Sequence, residues 1–377
     1  MNDIALKILW ADLGKAIAMV LGVAFSTLLM AQQAAIFVCL MGNSASHITT
    51  AQDVDIWIAD PRADYFDDPG SVPVALVERV KSVPGVAYAA PFIRSSVSLD
   101  SESLVEQGVL IGLDQNSFLG APQAMVIGSL DALRAAETFI VDRRGYGDIW
   151  PNEEIVLGKV LEVDGRLLRL VGVADPPSPF ISMPLIYTSL STASLVRRGL
   201  APGFVVARAK DGADTKAVAA AIADATGYGA FDKESFSRMT VDYYLKNTGI
   251  PINFFITVAL GFIVGAAIVA QTFYLFVTEN LRHLAVFKAM GATWRQLVSM
   301  TAVQCLIVAA VGFSLGIAGA SWFFETVPAK VPAFKGFYLP AGVALKVGLA
   351  IFAIALLSGA VSIQRAVRLA PAYVLKG

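Results

Sequence analysis

Charge is scarce in this chain of 377 residues: Lys, Arg, Asp and Glu make up 16%, against 56% hydrophobic residues, and mean hydropathy is +0.64. Soluble domains carry about 25% charge, so this balance excludes an ordinary soluble domain and points to a membrane protein. Cysteine is almost absent. Cys39 and Cys305 each fall inside a different apolar run, so the polar region between those runs has no disulfide and must cohere through its own core. Both cysteines read as small buried apolar residues. Of the two histidines, His283 sits in a basic stretch and His47 has no second His or Cys near it in sequence; His47 reads as a solvated stalk residue rather than a metal or haem ligand. With a net charge of −1, the chain lacks the concentrated basic face of a nucleic-acid binder. It also lacks a P-loop. The Gly-Lys pairs are Gly14-Lys15 and Gly158-Lys159, neither followed by Ser or Thr nor preceded by a correctly placed glycine, so no ATP hydrolysis is expected here.

What the chain has is long apolar runs. A helix needs about 20 apolar residues to cross the hydrocarbon core, and residues 16–41, 251–278, 297–324 and 343–364 qualify. The first is too long for a signal peptide and reads as a retained span. Lys7 and Lys15 precede it, Arg282, Lys288 and Arg295 separate the second and third spans, and Arg365, Arg368 and Lys376 follow the fourth. Positive flanks favour the cytoplasm. An amphipathic N-terminal helix (1–15), residues 279–296 and the tail 365–377 are therefore expected inside, with residues 42–250 and the loop 325–342 outside. The expected fold is an α-helical membrane protein with four transmembrane helices and an α+β extracytoplasmic domain inserted between helices 1 and 2.

Within that domain, "VDIWIAD", "GVLIGLD", "ETFIVD" and "GFVVARA" read as strands. "SVPVALVERVKSVPGV" reads as a helix stopped by Pro84-Gly85, and "DTKAVAAAIADAT" as a second helix. "IVLGKVLEVDGRLLRLVGVAD" is a hairpin, with Asp164-Gly165 supplying the two positive-φ positions of a type I′ turn. Pro176-Pro177 with Pro179 marks a candidate subdomain boundary. "NSASHITTAQD" and "SFSRMTVDYYLKN" read as polar stalks prolonging the first and second spans, the latter interrupted at Gly249 and Pro251.

Inside the spans, Gly312, Gly316 and Ala320 form a small-xxx-small face, as do Ala18, Gly22 and Ser26, and Gly261 with Gly265. Such faces let helices or dimer partners approach closely. "GFSLG" at Gly312–Gly316 matches the Gly-x-Ser-x-Gly string of hydrolases, but it sits in an apolar helix with no base near Ser314, so helix packing is the better reading. Gln32, Gln33, Gln271 and Gln304 are costly in hydrocarbon and are expected to face the bundle or a dimer partner.

The most informative stretch is "ENLRHLAVFKAMGATWRQL", Glu279 to Leu297, a basic island between runs that hold no charge for more than twenty residues on either side. Each of its cations would cost roughly 2.5–3.5 kcal/mol in lipid, so it must lie at the cytoplasmic surface. Gly291 is a natural helix stop and Thr293 can cap the next helix. One reading is an interfacial helix on the bilayer; the other is a knob that docks into a cytoplasmic protein.

"TENLRHLAVFKAMGATWRQLVSM" resembles the segment after the second span of the FtsX/MacB-type ABC permeases, and the order of one span, a large outer domain, three spans and a short tail matches theirs. "LDALRAAETFIVDRRGYGDIW" and the following "EVDGRLLRLVGV" resemble the DevC-like exporter permeases within that group. The resemblance implies a homodimer in the bacterial inner membrane, both termini cytoplasmic, bound to two copies of a separate ATPase that holds ATP and Mg. No cofactor is implied on this chain. Glu279, Arg282, Leu284, Phe287, Lys288, Met290 and Gly291 would form the coupling helix seated in the ATPase. Gly22, Gly261, Gly265, Gly312 and Gly316 would serve helix packing or the dimer interface. A periplasmic adaptor, an outer-membrane channel and an amphiphilic or lipid-like cargo are implied for export. The alternative is an FtsX-like signalling subunit that moves a periplasmic partner and transports nothing.

Overall fold

The computed structural model describes residues 13–101, 104–176, 183–197, 199–279, 290–291, 293–331, 334 and 336–368. The chain divides into two compact units, one formed by Met1–Cys39 with Gly249–Gly377 and the other by Leu40–Thr248.

After α1 (Leu13–Asn43), the short α2 (Ser46–Thr50) leads into the inserted domain. Strand β1 (Ile56–Ala59) is buried at every position, as a short apolar run in a sheet covered on both faces should be. Helix α3 (Leu76–Lys81) stops at Ser82, ahead of Pro84 and a Gly85 with φ +94°. Then come β2 (Val86–Ser101), β3 (Leu104–Leu113), β4 (Met125–Gly128), a 3₁₀ turn (Leu130–Arg134), β5 (Thr138–Asp142) and α4 (Arg143–Ile149). The hairpin of β6 (Val160–Val163) and β7 (Arg166–Ala174) follows. Its turn residues Asp164 and Gly165 have φ of 46° and 80°, the left-handed pair a type I′ turn requires. The domain ends with β8 (Leu185–Ser189), α5 (Leu190–Val196), β9 (Phe204–Ala209), α6 (Thr215–Thr226), β10 (Gly229–Asp232) and α7 (Lys233–Asn247).

The strands run in the order β10-β1-β9-β2-β3-β8-β5-β7-β4, with β6 against β2 and β7. Pairing is antiparallel except for β3 with β8 and β5 with β7. Strand β2 belongs to two sheets: Val86–Phe92 pairs with β9, and Ile93–Ser101 pairs with β3. The domain therefore divides within β2. The proline-rich boundary read from sequence is corrected, because β7 and β8 flank it and both pair with β5; Pro177 and Pro179 themselves lie outside the described residues. One core cluster, around Ile93, Phe139 and Leu170, fills the second sheet's lobe. Another, around Ile56, Leu76 and Ile222, seats α3 and α6 on the first. A third contains Trp57 and Phe204 together with Leu113 and Tyr187, and so joins the two lobes.

In the other unit, α8 (Ile250–Glu279) and α9 (Trp294–Lys330) both pack on α10 (Ala341–Arg368). Thr248 is extended and ends α7 before α8 begins. Pro251 occupies the first turn of α8, where a missing N–H breaks no helical bond. Four helices are long and apolar enough to cross a membrane, over Ala16–Asn43, Ile250–Gln271, Val298–Pro328 and Ala341–Ala360. Helix α9 has 37 residues, about 55 Å at 1.5 Å per residue, so it runs past the span expected from hydropathy and takes in Lys330, read from sequence as loop. The expected N-terminal amphipathic helix lies almost wholly outside the described residues.

Candidate functional site

The turn between α8 and α9 is described only at its edges. Arg282, Leu284, Phe287 and Lys288 lie outside the described residues. Glu279 is the last residue of α8. Met290 is 77% exposed, and Gly291 has φ +94°, a conformation that suits glycine at the end of a helix. Thr293 caps α9: its N–H and its hydroxyl both donate to Gln296 Oε1, at 2.8 and 3.0 Å. The turn thus presents a large apolar side chain to its surroundings, immediately before a firmly started helix.

The five glycines singled out for packing all lie at helix crossings inside one protomer. A Cβ on Gly316 would stand 2.5 Å from Thr27 Cβ and 2.6 Å from the Ala24 carbonyl oxygen, and one on Gly312 would stand 2.6 Å from Val23 Cβ. On the other side of α1, Gly265 faces Ser26, Gly22 faces Ile268 and Gly261 faces Met30. Helix α1 is therefore clasped between α8 and α9, backbone against side chain, as small-residue faces permit. Ser26 and Thr27 return their hydroxyls to the Gly22 and Val23 carbonyls, so neither brings an unmet donor to these contacts. Ser314 is exposed and donates to the Ala310 carbonyl at 2.9 Å, which leaves the hydrolase-like string a stretch of ordinary helix. Gln304 is buried at 2% exposure and Gln32 and Gln33 are half-buried. Gln271 is exposed in the single chain, at the end of its apolar stretch, and does not face the bundle.

Where the chain enters and leaves the inserted domain, the two segments read as polar stalks are instead built into its core. Ile48 of α2 and Phe236 of α7 are fully buried in the cluster that holds Trp57. Trp57 meets Phe66, Phe92 and Phe204 edge-on at 5.3–5.4 Å, the arrangement favoured by ring quadrupoles. His47 is stacked on Phe66 with centroids 5.6 Å apart, so the solvated role read for it is corrected. Burial first, and the Arg94 charge second, pull its imidazole down to about 4 against the opposing pull of Asp67, so the ring is neutral at pH 7.

Asp67 is the hub of this region. It forms an ion pair with Arg94 of β2, both side chains largely shielded, and accepts the Tyr244 hydroxyl of α7 at 2.5 Å. The Phe66 N–H donates to Thr240 Oγ1, and Lys233 Nζ donates to the Ala51 carbonyl. One acid, one base and one phenol thereby tie α7 to the strand that both sheets share, with α2 lying alongside. Sequence reading missed this group, because its members are 27 and 177 positions apart and no local periodicity marks them. A second buried acid, Asp142, caps α4 by accepting from Gly145 N at 3.1 Å and also accepts from Leu185 N at 2.7 Å. Burial pushes its carboxyl up to about 6, against the pull of those two donors. Among the described residues no group of three His, Cys, Asp or Glu side chains is arranged to hold a metal ion.

Comparison with known proteins fits this architecture. A family model of the MacB-like periplasmic core domain matches residues 16–225, and one of the FtsX-like permease C-terminal region matches residues 254–371. An uncharacterized ABC transporter permease of Mycobacterium tuberculosis is 25% identical over 337 residues, covering 88% of this chain and 87% of that protein. The macrolide export ATP-binding/permease protein MacB of Photorhabdus laumondii is 25% identical over 282 residues, or 70% of this chain. The match spans 43% of that relative's own length. Among solved structures, the periplasmic region of MacB from Actinobacillus actinomycetemcomitans is similar over 53% of this chain and 96% of its own, at 17% identity and a TM-score of 0.40. With both family models matched across the inserted domain and the helices that bracket it, the chain belongs to the FtsX/MacB-type ABC transporter permeases, as a membrane-spanning permease subunit.

Proposed function

We propose that this permease is the moving membrane part of an exporter driven by a separate ABC ATPase, and that residues 279–296 are its contact with that ATPase. The observation that carries the reading is the turn between α8 and α9. It is basic by sequence and flanked by uncharged spans, it ends in an exposed methionine and a left-handed glycine, and it is followed by a capped helix. A basic segment that ends in an exposed apolar side chain suits docking into a protein groove. Relatives that join ATP binding and permease in one name align with this chain over only about two fifths of their length, and these 377 residues hold no P-loop. Both facts support an ATP- and Mg-binding partner rather than catalysis here. The buried tie around Asp67 supports transmission of movement, since it lets the inserted domain follow its two connections as one body.

In this reading two copies of the chain bind two ATPases at the cytoplasmic side of an inner membrane, with both termini on that side. ATP-driven closure below moves the domains above. A periplasmic adaptor and an outer-membrane channel complete the path for an amphiphilic or lipid-like cargo. Relatives named for macrolide export favour this over FtsX-like signalling. Co-purification from native membranes is the test. The wild type is expected to bring an ATPase with it, and the double variant Phe287→Asp with Met290→Asp to lose it; an intact complex in the double variant overturns the reading.

A further inference from the structure

Between α1, α8 and α10 lies a groove of about 520 Å³, within the roughly 300–1,000 Å³ usual for small-molecule sites. The alanines Ala34, Ala259 and Ala350 line it, one on each helix, and their short side chains leave the hollow; Phe255 and Phe262 wall it along α8. Its lining is apolar throughout except for Lys346, and among the described residues no carboxylate lines the groove beside that ammonium. Lys346 is also the sole cation in the four apolar stretches that qualify as spans. It stands five residues into α10, about 7–8 Å along the axis from Ala341. That is the end of the bundle at which α1 stops and α8 starts, where the chain passes into and out of the inserted domain. A cation kept at this depth is costly unless it snorkels or is paired, and it marks a binding function by default.

We propose that this groove binds an anionic amphiphile drawn from the leaflet on the inserted-domain side, its alkyl chain lying along Phe255 and Phe262 and its headgroup anion pairing with Lys346. The complementarity is of charge and of polarity together: one ammonium at the mouth of an otherwise apolar trough, facing a lipid phase. As a statement about cargo the proposal rests on the export reading. As a statement about binding it stands on the groove alone.

The test uses the full-length protein, stripped of lipid in a neutral detergent and titrated with phosphatidylglycerol or phosphatidylcholine of identical chains, bound lipid being counted by native mass spectrometry. The wild type is expected to prefer phosphatidylglycerol about fivefold, the worth of one cation near a membrane surface. Lys346→Gln should erase the preference with chain binding retained, and Ala259→Trp should reduce binding of both lipids by filling the trough. Equal binding of the two lipids to the wild type, or a preference that persists in Lys346→Gln, overturns the proposal. So does efficient disulfide cross-linking of Ala259→Cys between two copies in native membranes, which would mean that a second copy covers the groove. Should Ala259→Trp fail to assemble, the Lys346→Gln titration decides. No ATPase is present, so failure here leaves the coupling assignment intact, and loss of the ATPase contact would leave the groove intact.

Discussion

Tyr244, in the helix that leads out of the inserted domain, donates its hydroxyl to one oxygen of Asp67, while the other oxygen holds Arg94 on the strand shared by both sheets. A single carboxylate thus fastens the outgoing helix to the middle of the domain. Asp67 and Arg94 are only 16% and 11% exposed, so removing one partner strands the other away from water.

Asp67→Asn should therefore cost about 3 kcal/mol or more in the stability of the inserted domain, because the Arg94 charge loses its counterion. Joint replacement of Asp67 and Arg94 by Leu and Met should cost less than Asp67→Asn alone. Urea unfolding of the full-length protein, followed by the near-ultraviolet signal of the aromatic cluster around Trp57, reads both. A smaller loss in the single variant than in the pair contradicts the assignment.

Two buried groups make opposed contributions with pH. Asp142 is pushed up to about 6 by burial, so the folded state keeps a proton that the unfolded chain releases near pH 4; its contribution is fully present below pH 4 and is lost as pH rises to 6. His47 is pulled down to about 4, so the unfolded chain takes up a proton that the folded state refuses. Its contribution is full above pH 6.5 and is lost as pH falls to 4. Each is worth about 3 kcal/mol across its window. The wild type should hence show a shallow profile between pH 4 and 6.5. Asp142→Asn should make stability climb with pH, and His47→Gln should make it fall. Parallel profiles for the three proteins would remove both assignments.

The clasp around α1 depends on the absence of side chains. A Cβ at Gly316 meets the Ala24 carbonyl, which cannot turn aside, whereas one at Gly42 meets nothing within 4 Å. Gly316→Ala is expected to destabilise the bundle by about 1–3 kcal/mol, and Gly42→Ala to leave it within about 0.5 kcal/mol of the wild type. Thermal inactivation of the detergent-solubilised protein separates the two. Equal stability of both variants would place the glycines elsewhere than at a close crossing.

Features set by neighbouring residues were legible in the sequence. Asp164-Gly165 specifies its turn through two left-handed positions, Pro84-Gly85 marks the break just beyond α3, and the four apolar stretches announce themselves by length. Features set by distant pairing were not. The division of β2 between two sheets depends on β9, more than a hundred residues away, and nothing in "VAYAAPFIRSSVSLDS" marks the change of partner at Phe92. The polar stretches after α1 and before α8 looked like free stalks because serine, threonine and histidine usually face water. Here one face of each carries Ile48 or Phe236 into a core. Lys346 falls inside the fourth apolar run with no local pattern to mark it, and its groove needs three helices that meet only in the fold.

The central claim is that ATP bound to a partner moves the inserted domain through residues 279–296. A spin label on exposed Lys210, introduced as Lys210→Cys after Cys39→Ala and Cys305→Ala, would report the separation of the two inserted domains in the proposed ATPase-bound dimer by double electron–electron resonance. The account predicts one distance distribution without nucleotide and a shifted one with ATP and vanadate, the shift vanishing in the Phe287→Asp, Met290→Asp background. An unchanged distribution with nucleotide, or a shift that survives those two substitutions, would contradict it.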